Sequence, residues 1–213
     1  SLPDWKSQPP DINSTMKPCL SFFLLTATFV LTAEMPLLAD SAGKWTSSVE
    51  RSRHSLTYSS TATLLGQETP ITLTFGCDPT WDKDSSGTLG FDLSIKNPSA
   101  IEAFPFDSFE GPDAVAAPEV RVTITRPGEA PLTFKTSASG SYSEADVFTF
   151  NISEVSKESS SVPRSILEAL AKNDVESLKV TIADPANPKL TLDLTLFVAG
   201  RQAEFQALLT GLK

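Results

Sequence analysis

The sequence predicts a mainly β protein, an antiparallel β-sandwich or strongly bent sheet of about eight or nine strands covered by two short helices. Three observations predict it. Apolar residues alternate with Ser and Thr in run after run, as in Ile71-Thr-Leu73-Thr-Phe75-Gly-Cys77, the period-two mark of a strand with one buried face. Helical spacing is confined to two short segments, at residues 163–173 and 201–210. No alternation of strand and helix calls for a parallel sheet, and no internal repeat is present.

Taken in order, Trp45 to Val49 makes a short first strand, and Leu56 to Leu64 alternates with Thr and Ser. Gly66 to Pro70 breaks the chain before the Ile71–Cys77 strand. A polar turn over residues 78–87 leads to Leu89-Gly-Phe91-Asp-Leu93-Ser-Ile95, which Asn97-Pro98 ends. Residues 97–119 have no steady period and contain four prolines, Pro98, Pro105, Pro112 and Pro118. Strands resume at Val120-Arg-Val122-Thr-Ile124, at Leu132-Thr-Phe134 after a Pro127-Gly128 turn, and at Val147 to Ile152. The β-branched and aromatic content of these runs suits a pleated, half-buried surface. Pro163 sits where a helix loses nothing by a missing N–H, and Ile166, Leu167 and Leu170 follow at helical spacing towards a stop at Asn173. Leu178 to Ile182 and Leu190 to Leu196 are strands joined by Asp184-Pro-Ala-Asn187-Pro188, which predicts an antiparallel hairpin. Arg201 to Thr210 closes the order as a helix with Phe205, Leu208, Leu209 and Leu212 on one stripe and Gly211 as its stop.

Ahead of this body, Met16-Lys17 precedes an apolar run from Leu20 through Ala33, then Glu34-Met35-Pro36-Leu37-Leu38-Ala39. A positive start, a short apolar centre and a helix breaker before a small residue are the parts of a secretory signal peptide. The run is shorter than the roughly 20 residues a membrane span takes, and lengthening it would bury Glu34. The expected organisation is therefore an upstream or disordered segment over 1–15, a signal peptide over 16–39 cleaved after Ala39, and one exported domain over 40–213. The destination is periplasmic or secreted, with no stable membrane span once the signal is removed.

The chain carries 17 Lys and Arg against 26 Asp and Glu, a net charge of −9. Loss of residues 1–39 would remove two of the former and three of the latter, so the exported part stays acidic. Such a surface repels phosphate backbones, which excludes nucleic acid as the expected partner. Cys19 lies within the signal in a context wrong for lipid attachment, and Cys77 alone cannot form an internal disulfide. Its phase with Ile71, Leu73 and Phe75 makes it a buried small hydrophobe.

Trp45 at the opening, the Leu73-Thr-Phe75-Gly-Cys77 strand and the Val120-Arg-Val122-Thr-Ile124 strand come in a distinctive order. A helix, the Leu178 to Ile182 strand, Leu192-Asp-Leu194, Gly200 and an amphipathic helix complete it. In this order of parts the chain resembles the small exported proteins of Gram-negative bacteria that include the periplasmic accessory protein of type VI secretion clusters. The likeness spans most of residues 44–212 and consists of spacing and apolar character. It implies an envelope location and a secretion-associated accessory role. It also implies a second Cys near the C-terminal end to partner the strand Cys, and Leu212-Lys213 supplies none.

Four stretches are candidates for chemistry. Asp82, Asp84 and Ser86 with Gly87 match the opening of an EF-hand loop, yet the twelfth position is Leu93 where a bidentate Glu belongs, so a solvated hairpin turn explains the same letters. His54, the only histidine, forms a small basic spot with Arg51 and Arg53 and reads as an exposed loop residue. No nucleophile elbow and no multi-His metal set occurs in the sequence, so neither catalytic residues nor a metal or other cofactor is assigned. Asn151-Ile-Ser153 fits a glycosylation sequon without further support. Phe104, Phe106 and Phe109 put three rings into six residues of a long connection. Turned outward they would make a partner-binding patch, and turned inward they would plug the end of the sandwich. The function expected from these features is an exported, non-catalytic binding or accessory domain of the bacterial envelope, with a protein or glycan partner. The alternatives are an exported hydrolase or carbohydrate-active protein using Asp and Glu residues, and a calcium-stabilised adhesion-like module.

Overall fold

A computed structural model gives the fold and describes residues 43–50, 53–78, 88–111, 120–143, 145–153, 162–172 and 174–211. The signal segment and the Asp82–Gly87 turn lie outside the described residues, as do Arg51, Asn173 and Leu212. Among the described residues, ten strands form two antiparallel sheets, which bears out the mainly β, sandwich-like reading.

The larger sheet contains β1 (Lys44–Glu50), β2 (Arg53–Leu64), β3 (Gln67–Asp78), β4 (Thr88–Lys96), β7 (Ser139–Ser143) and β8 (Val147–Ser153), in the order β1-β2-β3-β4-β8-β7. The smaller contains β5 (Val120–Thr125), β6 (Leu132–Thr136), β9 (Ser177–Ala183) and β10 (Thr191–Phe197), in the order β10-β9-β5-β6. β2, β3, β4, β5, β8, β9 and β10 deliver their alternate apolar residues to one core. Leu73, Phe75, Leu89, Ile95, Phe148 and Phe150 come from the larger sheet, and Val120, Val122, Ile124, Val180, Ile182 and Leu196 from the smaller. At roughly 1.5–3 kcal/mol for each such side chain taken from water, this core is the main term holding the fold.

Two details depart from the sequence reading. β3 begins at Gln67 and passes through Pro70, because the two-residue turn at Leu65 and Gly66, with φ of 47° and 84°, closes the β2–β3 hairpin tightly. Proline is tolerated there because the β4 ladder starts only at Ile71, which leaves Pro70 paired on one side. β7, read as Ser-Gly-Ser-Tyr-Ser, has no apolar alternation and is held by its ladder to β8. Gly140 is required in it, since a Cβ at that position would fall 2.2 Å from the Phe148 ring.

The two helices, α1 (Val162–Leu170) and α2 (Gln202–Thr210), fill the core's margin. α1 buries Pro163, Ile166, Leu167 and Leu170 and touches β4 of one sheet and β5 and β6 of the other. α2 drives Phe205 against Phe75 at 5.2 Å and Trp45 at 6.0 Å between ring centres, both edge to face. Leu208 is buried beside it and Leu209 half-buried, as the stripe predicted. Cys77 is fully buried, as its phase with Ile71, Leu73 and Phe75 predicted. Among the described residues no helix is long and apolar enough to cross a membrane.

Candidate functional site

Phe104, Phe106 and Phe109 all turn inward, each no more than 4% exposed. Two short 3-10 turns, Pro98–Ala100 and Phe106–Phe109, fold their connection back over β8. Phe106 lies 5.0 Å from Phe148, and Phe109 lies 5.1 Å from Phe150, with Phe104 stacked on Phe109 at 5.8 Å. The expectation that these residues bind a partner rested on outward rings, and the inward arrangement withdraws that support. What the connection offers outside is polar. Glu110 runs beside Gly140 in an isolated parallel bridge, and its Oε1 accepts the Tyr142 N–H at 3.2 Å.

His54 is likewise placed differently from expectation. It stands half-buried within β2, not in a loop, because β2 keeps pairing with both β1 and β3 to its first residues. α2 ends against it, so closely that a Cβ on Gly211 would sit 3.2 Å from its ring. Arg53 points to the opposite face, over Gly76, so of the described residues Arg53 and His54 are not brought together, and Arg51 lies outside them.

A different basic pair does come together. On the outer face of the four-stranded sheet, the ladders align Asp193 of β10, Thr181 of β9, Arg121 of β5 and Lys135 of β6 in one row. Asp193 is already satisfied. Its Oδ1 accepts the Thr181 hydroxyl at 2.6 Å and meets Lys179 Nζ at 3.2 Å. Burial pushes its carboxyl upward, but the bonds from Thr181, Lys179 and Thr191 outweigh that and leave it below the ordinary 3.8. Arg121 and Lys135 face each other directly across β5 and β6, and among the described residues no carboxylate forms an ion pair with either. Like charges directly opposite in an antiparallel pair destabilise it. A protein with an excess of acids has placed two cations together at a cost.

The β9–β10 connection borders this exposed pair. Asp184, 7% exposed, accepts the Ala186 N–H at 2.8 Å through Oδ1 and donates its own N–H to the Leu190 carbonyl at 2.9 Å. Those bonds and the fixed φ of Pro185 and Pro188 hold the loop over the sheet. Together they border a half-open cavity of about 260 Å³ whose lining includes Arg121, Lys135, Thr181, Asp184, Pro185, Pro188 and Thr191. Chemically it offers two cations, two threonine hydroxyls that already donate to Asp193, one carboxylate and two prolines. Glycoside hydrolysis needs two convergent carboxyl groups, and among its described lining residues this cavity has one. A second, broad depression beside Gly200 carries Asp174 and Glu176, both exposed on its rim.

Asp82, Asp84 and Ser86, the calcium-loop residues, lie outside the described residues. Among the described residues no group of three or more His, Cys, Asp or Glu could hold a metal ion. Sequence reasoning passed over Arg121 and Lys135 because they are distant in the chain and belong to no motif. The signal that could have found them is the Pro127-Gly128 turn: folding the flanking strands about it brings the two side chains opposite each other. Compared with known protein families, curated proteins and solved structures, the chain matches none.

Proposed function

We propose that this chain is an exported, non-catalytic binding or accessory domain of the bacterial envelope, acting in the periplasm or outside the cell on a protein or glycan partner. The observation that carries the reading is the Arg121–Lys135 pair: two cations without ion-pair partners among the described residues, set opposite each other in the lining of a half-open cavity. Proteins tolerate such local conflict where a ligand resolves it. The export pattern of Met16 to Ala39 supports the location, and the resemblance in order of parts supports a secretion-associated accessory role. The acidic charge elsewhere disfavours nucleic acid.

The test has two arms. Fractionation of cells producing the full chain should recover it in the periplasm or medium, shortened at its N-terminus, and recovery of the full-length chain from the cytoplasm would end the location. The exported protein, immobilised, should retain an envelope component that an Arg121→Glu/Lys135→Glu variant releases. Equal retention by both would take the binding role away from this cavity.

A further inference from the structure

We infer that the Arg121–Lys135 cavity binds a hexuronic acid residue of an anionic polysaccharide. This inference rests on the binding-domain reading above and names its ligand. Four features converge on an acidic sugar. The Arg121 guanidinium is a planar fork that matches a carboxylate's two oxygens, and Lys135 adds a point charge beside it. Asp184 would repel a bare anion, but it is a strong acceptor for ring hydroxyl groups, and Thr181 lies between the charges as a further polar partner. Pro185 and Pro188 offer apolar faces to the C–H side of a pyranose ring. The volume, about 260 Å³, is below the roughly 300–1,000 Å³ of pockets for drug-sized ligands and suits one ring. A simple phosphate or acetate would use the cations and leave the carboxylate and the prolines unemployed.

Rigidity argues the same way. The β9–β10 loop is fastened by the Asp184–Ala186 and Asp184–Leu190 bonds and by a third, Leu190 N–H to the Asn187 carbonyl at 2.8 Å. A site already shaped loses little conformational freedom on binding, as a weakly held sugar requires. Two residues along the same β5–β6 ladder, Thr123 and Thr133 form the next outward pair, a polar surface for neighbouring sugars of a chain.

The experiment is calorimetric titration of the full chain with trigalacturonate, the neutral glucose trimer, acetate and inorganic phosphate. Trigalacturonate should bind at least tenfold more tightly than the neutral trimer. Arg121→Gln/Lys135→Gln should weaken it at least tenfold, with an unchanged circular-dichroism spectrum. Lys179→Gln, on the same face but engaged with Asp193, should leave it unchanged. The sign at Asp184 is decisive. Asp184→Asn keeps an oxygen for the Ala186 N–H, and it should weaken trigalacturonate several-fold because the ring hydroxyl groups lose their acceptor. Tighter binding in that variant, or phosphate or acetate binding as well as trigalacturonate, would reduce the site to a bare anion hole and overturn the sugar. Equal binding of the neutral trimer, or no heat from any probe, would overturn it too. If an envelope component is retained while trigalacturonate fails, the binding-domain reading stands and only the ligand class falls.

Discussion

The two sheets share one core yet present opposite chemistry to the outside. The six-stranded sheet is faced by hydroxyl rows. Thr46, Thr57, Thr74, Asp92, Asn151 and Ser139 align across all six strands, and Ser59, Thr72, Ser94 and Thr149 line the next row. Neighbours in these rows bond to each other, Ser94 to Thr149 at 2.9 Å and Thr57 to Thr74 at 3.3 Å. The hydroxyl and amide groups of these rows are largely bonded within the sheet, Asn151 to Asp92 among them. On the four-stranded sheet the row runs from a satisfied Asp193 to two cations facing each other. A surface that satisfies itself asks nothing of a partner, whereas one that leaves charges opposed has a reason to find one.

The largest expected effect would show that this difference is confined to the outside. Phe150→Ala beneath the six-stranded sheet should cost about 3–5 kcal/mol and Leu194→Ala beneath the four-stranded sheet about 2–5 kcal/mol. Both should appear as a loss in a single urea transition, because both residues belong to one core. Two separate transitions would mean the sheets fold independently and the comparison joins two unrelated surfaces.

Next in size is the strain between the cations. Lys135→Glu should stabilise the protein by about 0.2–1 kcal/mol, by exchanging a repulsive cross-strand pair for an attractive one. A gain in stability together with a loss of ligand is the signature of a site maintained against the fold's own preference. Destabilisation by that substitution would show that the pair is structural.

A smaller effect contrasts the two outward carboxylates, each accepting a 2.6 Å hydrogen bond, Asp92 from Asn151 and Asp193 from Thr181. Burial raises Asp92 above the ordinary 3.8, against the Asn151 bond and the charge of Arg53. Asp193 is held below it. The stability Asp193 adds is therefore whole above pH 3.8 and is lost as the pH falls through its lower folded value. For Asp92 the stabilising contribution is whole below pH 3.8 and is lost as the pH rises through its higher folded value. Thermal melts across pH 2–7 should show Asp193→Asn flattening the acid-side decline. Asp92→Asn should instead leave the protein more stable, relative to wild type, at neutral pH than in acid. The same slope change in both variants would refute the contrast. Smallest of all, Ser94→Ala in the exposed hydroxyl rows should move stability by no more than about 0.5 kcal/mol.

Most of the architecture was legible because burial writes itself into the sequence as alternation. β3, β4, β5, β9 and β10 each carry their core residues at every second position, and α1 carries Ile166, Leu167 and Leu170 at helical spacing. β7 was not legible, since a border strand of Ser and Gly takes its conformation from β8 and leaves no apolar imprint. His54 was misplaced for a related reason: polar residues at the start of β2 look like loop until both neighbouring strands are known to extend alongside. The cavity was the least legible part. Its cations meet through the β5–β6 register, which the Pro127-Gly128 turn implies, but Asp184, Pro185 and Pro188 join them from a separate hairpin through the tertiary arrangement.

The tie between Glu110 and β7 has a consequence for how such molecules meet one another. Sheets lengthen by recruiting a stranger's backbone onto bare rungs, the first step towards fibrils. On the β7 border those rungs are partly taken by the chain's own Glu110, through the Gly140 bridge and the Tyr142 amide. Templated growth from that side is obstructed before it starts, and a crowded compartment can hold many copies without that border seeding a filament.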